Sequence, residues 1–252
     1  MTRTLLASLL ILAGCFEGSD DKSGGGNAGP MPTLSGDGGG GSASADSDED
    51  DDGYTLEEEE AAGTNPDYGY SHPYEGGYNV GFCDTQPVPT GPTGLASITQ
   101  SGETYEWPSL AMGDVPYNFS LPDQFGEEVD LYSFCGQHVM VVISAGWCGP
   151  CRGFATEVQN IQEEYEDKGF QIIEIITQDD YGNPPDQAFL ENWASDYGFD
   201  GVPVLGAPQP TSYDHPTFWF DADGYIPSVY HLNEKLEVVS ADESVHDPSN
   251  WL

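Results

Sequence analysis

Val139-Met140-Val141-Val142-Ile143, followed after three residues by Trp147-Cys148-Gly149-Pro150-Cys151, is the stretch that decides the fold. The apolar run reads as a buried strand. The Cys-x-x-Cys then opens a helix, because Pro150 can occupy a first helical turn without losing a hydrogen bond. Cys148 at a helix N-terminus meets unpaired backbone N–H groups and a dipole that favour its thiolate. Cys151 lies one turn on, close enough to close a small disulfide. A four-cysteine zinc site would need a second pair at ligand spacing, and the sequence has none.

Downstream, Phe154, Val158, Ile161 and Tyr165 recur at helical spacing, so the helix runs from about Pro150 to Asp167 and ends at Lys168-Gly169. Phe170-Gln171-Ile172-Ile173-Glu174-Ile175-Ile176 is β-branched and nearly continuous, as in a central strand. Residues 186–197, with Phe189, Leu190 and Trp193, form an amphipathic helix. Strand, helix, strand in this order predicts a parallel pair joined by a right-handed crossover, and so an α/β domain.

The five residues Trp147–Cys151 match the thioredoxin active-site motif, and the surrounding domain resembles the TlpA/ResA-type and redoxin branch of that superfamily. Gly113-Asp114-Val115-Pro116-Tyr117-Asn118-Phe119-Ser120-Leu121 resembles the opening of such domains. Phe125-Gly126-Glu127-Glu128-Val129-Asp130-Leu131 continues it, with Gly126 at a hairpin turn. His215-Pro216-Thr217-Phe218-Trp219-Phe220-Asp221-Ala222-Asp223-Gly224-Tyr225-Ile226 resembles a second family motif, in which the proline is cis and faces the dithiol. The resemblance covers roughly residues 110–232. It implies a thioredoxin-like fold, a central mixed sheet flanked by helices. It also implies thiol–disulfide exchange with protein thiols, Cys148 attacking and Cys151 resolving, Trp147 flanking them, and no catalytic cofactor. Pro216 would be cis, His215 would offer its backbone to substrate, and Asp223-Gly224 would turn between two strands.

Two departures bear on mechanism. TlpA/ResA-type proteins usually carry Glu where this chain has Phe154, and thioredoxin a buried Asp where it has Val142. Neither carboxylate is there to take a proton from Cys151. Glu157 is a distant substitute. His215 and Arg152 are the groups expected to favour a thiolate, and a solvent-facing His215 is the alternative.

The N-terminus, with Arg3, the apolar run Leu5–Leu12 and Leu12-Ala13-Gly14-Cys15, reads as a signal peptide ending in a lipobox. Cys15 would become the lipidated first residue, anchoring the protein to a bacterial membrane. An ordinary signal peptide with an incidental cysteine is the alternative. Phe16, rather than Asp, after the cysteine points to the outer membrane, with the protein facing the periplasm or the cell surface. Cys83, Cys135, Cys148 and Cys151 remain. The strand between Cys135 and Cys148 separates their sulfurs by about 20 Å, beyond the Cα spacing of about 7 Å that a disulfide allows. Cys83–Cys135 is therefore the expected structural staple, with a free buried Cys135 as the alternative.

Acidic residues number 44 against five Lys plus Arg, a formal net charge of −39. No basic patch can be assembled, which excludes nucleic acid as a partner. Asp48-Glu49-Asp50-Asp51-Asp52-Gly53-Tyr54-Thr55-Leu56-Glu57-Glu58-Glu59 sets carboxylates at loop positions 1, 3, 5 and 12 around a glycine at 6, the spacing of an EF-hand calcium loop. Asp48, Asp50, Asp52, the Tyr54 carbonyl and Glu59 would be the ligands. With the following Gly63-Thr64-Asn65-Pro66, the segment resembles a thrombospondin type 3 repeat. A solvated acidic run is the alternative.

The expected organisation is a signal peptide (1–14), a Gly/Ser/Asp tether (15–47), the acidic segment (48–66), an irregular Tyr/Gly/Pro-rich stretch (67–109) and a thioredoxin-like domain (110–252). Function is expected to be that of a monomeric, lipid-anchored thiol–disulfide oxidoreductase of the cell envelope. The competing reading is a calcium-stabilised envelope binding module whose dithiol is incidental.

Overall fold

The computed structural model describes residues 47–207, 215–241 and 247–252. The expected signal segment, Cys15 and the expected tether up to residue 46 lie outside the described residues. The chain divides into two units between residues 41 and 42, and every described element lies in the second.

In chain order the elements are α1 (Leu56–Ala62), the hairpin β1 (Gly94–Gln100) and β2 (Glu103–Ser109), and the short pair β3 (Ser120–Pro122) and β4 (Glu128–Asp130). Then come β5 (His138–Ser144), α2 (Gly149–Tyr165), β6 (Phe170–Ile176), α3 (Gln187–Tyr197), β7 (Val204–Gly206), α4 (Pro216–Trp219), β8 (Ser228–Leu232) and β9 (Val238–Ser240). The central sheet runs in the order β7-β6-β5-β8-β9. β5, β6 and β7 are parallel, while β8 is antiparallel to β5 and β9 to β8. This is the expected mixed sheet, and the fold is thioredoxin-like.

Both faces of the sheet are covered, which is why β5 and β6 are apolar almost throughout. Val139, Val141, Ile143, Ile173, Ile175 and Tyr230 pack on one side, with Phe119, Leu131 and Phe220. Met140, Val142 and Ile172 face the other side, against Phe154 and Val158 of α2. Ile176 packs there with Leu190 and Trp193 of α3. The parallel register sets Val142 opposite Glu174. β5 ends immediately before the Cys-x-x-Cys, so the sheet delivers the dithiol to its carboxyl edge.

Two expectations need correction. Residues 94–109, expected to be irregular, form an antiparallel hairpin with Thr99 opposite Thr104. Its two-residue turn, Ser101-Gly102, has positive φ at both positions, as a type I′ turn requires. Trp107 from this hairpin is buried, and its indole N–H donates to the Asp221 carbonyl at 2.9 Å. Residues 216–224 are not a pair of strands around Asp223-Gly224. They form α4 and a following turn, in which the Asp221 carboxylate accepts from the Gly224 N–H at 2.7 Å.

Residues 67–93 hold no helix or strand. They are tied down by single contacts. Ser71 Oγ donates to the Gly81 carbonyl at 2.7 Å, the Gly81 N–H donates to Ser133 at 2.8 Å, and Cys83 is bonded to Cys135 with Cα atoms 5.7 Å apart. Gly81 is required here, because a Cβ would sit 1.8 Å from the Cys135 carbonyl oxygen.

Candidate active site

Cys148 is the N-cap of α2, and its sulfur accepts a hydrogen bond from the Cys151 N–H at 3.1 Å. That N–H is one of the orphan donors of a helix start, so the interaction lowers the cost of a thiolate on Cys148. The two cysteines are joined, with Cα atoms 5.3 Å apart. Cys151 is fully buried, and Cys148 keeps 3% of its surface exposed.

Trp147 and Ile226 flank Cys148, one in sequence and the other in space. Trp147 is 54% exposed, and its indole N–H donates to Gln178 Oε1 at 2.7 Å. The Ile226 carbonyl oxygen lies 3.6 Å from Cys148 Sγ. Beside it opens a cleft of about 230 Å³ lined by Ile143, Thr177, Gln178, Thr217, Phe218, Asp221 and Ile226. Gly146 makes the approach of the 177–186 loop feasible, since a Cβ there would sit 2.6 Å from Phe189 and 2.8 Å from the Asp180 backbone nitrogen.

The structure redistributes the expected roles. Ile226–Pro227, not His215–Pro216, is the cis peptide among the described residues, and Ile226 is the residue that faces the dithiol. Pro216 instead opens α4, where its missing N–H costs nothing. His215 caps α4: its Nδ1 faces Thr217 Oγ1 at 3.0 Å and accepts from the Thr217 N–H at 3.3 Å. Burial lowers the pKa of its half-buried imidazole, which favours the neutral ring. Arg152 spends its charge on Asp180, while its Nε donates to the Gly146 carbonyl at 2.6 Å. It braces the loop more than it charges the sulfur. Glu157 is exposed on the outer side of α2.

The carboxylate that the sequence reading missed is Glu174. It is completely buried on β6, on the sheet face shared with Ile172 and Ile176 and covered by α2 and α3. It sits directly across from Val142, the position where thioredoxin carries its Asp. Neither of its oxygens has a hydrogen-bond partner. Burial pushes its pKa up to about 7; the Ser144 hydroxyl and Trp193 indole lie near enough to moderate that rise but fall short of hydrogen-bonding geometry. Trp193 in turn lies under the Arg152 guanidinium, 5.5 Å from the ring centroid, which links Glu174 to the first turn of α2. The one sequence signal was a lone acidic residue inside an apolar strand.

In the acidic segment, ligand atoms of Asp48, Asp50 and Asp52 lie within 4.8 Å of one another. Tyr54 and Glu59 follow on the same loop and on α1, and Glu59 is fully buried.

Residues 111–208 match the redoxin family model. Among relatives, the chain is 35% identical over 69 residues to the thiol-disulfide oxidoreductase ResA of Oceanobacillus iheyensis, covering 25% of this chain and 35% of that protein. It is 37% identical over 67 residues to a thioredoxin from Synechocystis, covering 27% and 52%. The chain thus spans about half or less of the length of the relatives it matches. Among solved structures, the thioredoxin domain of a thiol-disulfide oxidoreductase from Bacteroides vulgatus aligns with 53% of this chain and 89% of its own, at 19% identity and a TM-score of 0.42. A thiol:disulfide interchange protein from Bacteroides sp. aligns with 55% and 84%, at 20% identity and a TM-score of 0.43. The redoxin match covers residues 111–208, and within it Cys148 and Cys151 stand at the start of α2, at the carboxyl edge of the parallel β6-β5 pair.

Proposed function

We propose that this chain is a thiol–disulfide oxidoreductase acting on protein thiols and disulfides through Cys148 and Cys151. The observation that carries this reading is the Cys148 sulfur, capped by the Cys151 N–H and 3.6 Å from the Ile226 carbonyl at the edge of a cleft. A backbone carbonyl beside a reactive sulfur suits an extended substrate segment, which can pair with it while its own sulfur reaches Cys148.

In the reducing direction the Cys148 thiolate attacks one sulfur of a substrate disulfide. The other substrate sulfur leaves as a thiolate and takes up a proton, and a mixed disulfide remains. Cys151 then gives up its thiol proton and attacks Cys148 Sγ, the second substrate sulfur leaves, and the chain is left oxidised. The oxidising direction reverses these steps. Glu174 is the group assigned to hold the proton from Cys151, because it is buried opposite Val142, which packs under the helix that carries Cys151, and a carboxyl raised by burial can accept and return a proton near neutrality. The exchange uses no cofactor, and calcium has no part in it; its place in this reading is the acidic segment.

The same reading sets the protein, as a monomer, in a bacterial envelope, anchored through lipid on Cys15 and facing the periplasm or the surface of the outer membrane. It draws on the lipobox and on the Gly-rich stretch that would serve as a tether. Cys15→Ser should move the protein from the membrane to the soluble fraction, and unchanged partitioning would contradict the anchor. The thiol chemistry is tested by reduction of a protein disulfide with the full chain. Cys148→Ser should abolish turnover, and Cys151→Ser should accumulate the mixed disulfide. Full activity in Cys148→Ser would leave the dithiol incidental and favour the binding-module reading.

A further inference from the structure

Among the described residues, the acidic loop carries an electrostatic cost that no cationic side chain offsets by an ion pair. Asp48 spends its oxygens on the loop itself, accepting from the Asp52 N–H at 3.2 Å and the Gly53 N–H at 3.0 Å. Asp50 Oδ1 and Oδ2, Asp52 Oδ2 and Glu59 Oε2 are buried and have no hydrogen-bond partner. Glu59 is the telling member. Its residue is 0% exposed, it stands on α1 just outside the Asp48–Asp50–Asp52 group but near enough for the Asp52 and Asp50 charges to act on it, and only its Oε1 is engaged, by the Thr64 hydroxyl at 3.3 Å. Buried carboxylate oxygens facing one another without a donor cost several kcal/mol unless a cation joins them. Among the described residues the cationic side chains are Arg152, Lys168 and Lys235, and each belongs to the domain beyond residue 110.

We propose that Asp48, Asp50, Asp52, Glu59 and the Tyr54 carbonyl bind one calcium ion, which clamps residues 64–83 onto the redox domain. A hard cation with oxygen ligands fits this donor set. A two-oxygen Glu at the last position suits calcium better than magnesium, which demands a tighter octahedron. The clamp follows from what the loop touches. The Tyr54 ring stacks on His72, with centroids 5.2 Å apart, and His72 packs on Tyr74 at 4.4 Å. The Tyr74 hydroxyl meets Ser133 Oγ at 2.8 Å, and the Asn65 side-chain amide donates to the Cys83 carbonyl at 3.0 Å. Order in the calcium loop is thereby passed along an aromatic row to the Cys83–Cys135 bond.

The test uses the oxidised full chain stripped with chelator, so thiol turnover plays no part in the outcome. Calorimetric titration with calcium should give one site, with Kd on the order of 10⁻⁴–10⁻³ M. Saturating calcium should slow proteolytic cleavage within residues 64–83 about tenfold or more, and magnesium at the same concentration should do neither. Glu59→Gln and Asp50→Asn should each weaken calcium binding by about tenfold or more. Absence of saturable binding up to about 10 mM, or wild-type titration of both variants, would overturn the site. Equal effects of magnesium would overturn the assignment to calcium, and cleavage indifferent to bound calcium would overturn the clamp.

Discussion

At the scale of single residues, the site depends on where two protons and one charge can go. Cys148 gains its thiolate from the helix start, while Cys151 is sealed in and needs an internal acceptor. Glu174→Gln keeps the size and removes the acceptor. We expect the resolving step to slow by about 10²-fold and to lose its pH dependence near neutrality. Rapid-quench trapping of the mixed disulfide across pH 5–9 measures this, and an unchanged pH profile would reduce Glu174 to packing. The same residue makes a stability prediction. Its folded pKa of about 7 stands above the unfolded value of 4.5, so its contribution is fully present below about pH 4.5. It is lost as pH rises through about 7, a change of up to about 3 kcal/mol. Denaturant titrations at several pH values should show a shallower decline in Glu174→Gln than in the parent chain.

At the scale of elements, β5, α2 and β6 were legible because apolar runs and helical periodicity agree with burial there. The hairpin at Gly126 was legible from its glycine, which adopts the positive φ that a turn needs. The second half of the site was misread for a physical reason. Two segments share a Pro-hydroxyl-apolar pattern, Pro216-Thr217-Phe218 and Pro227-Ser228-Val229, and only the first is followed by a conspicuous Asp-Gly turn. The true β8–β9 turn, Asn233–Glu237, places Leu236 rather than glycine at positive φ. It is held by the Asn233 side chain, which accepts from the Lys235 and Glu237 N–H groups. The hairpin β1–β2 escaped notice because its strands are mostly polar and exposed, with Trp107 as the main inward anchor. Trp107→Ala should therefore cost about 3–5 kcal/mol, and a loss well under 1 kcal/mol in chemical denaturation would deny it that role. Removing Cys83 and Cys135 together opens a link across 52 residues and should cost about 4 kcal/mol.

At the scale of the whole molecule, a net charge of −39 is the dominant long-range term. Forty-four acidic residues stand against five Lys plus Arg, so screening should stabilise the fold. Raising NaCl from about 0.1 to 1 M should increase Tm, and a decrease would mean that ion pairs outweigh repulsion. The charge also leaves the dithiol edge as the part of the surface where apolar Trp147, Ile226 and a sulfur come together. Thiol–disulfide exchange at this edge requires Cys148 and Cys151 to form a reversible couple. Equilibrating the full chain with glutathione buffers, alkylating free thiols and mapping them by mass spectrometry measures it. We predict a two-electron transition confined to Cys148 and Cys151, between about −270 and −120 mV, with Cys83–Cys135 oxidised throughout. A chain in which Cys148–Cys151 does not titrate, or titrates only together with Cys83–Cys135, would contradict the account.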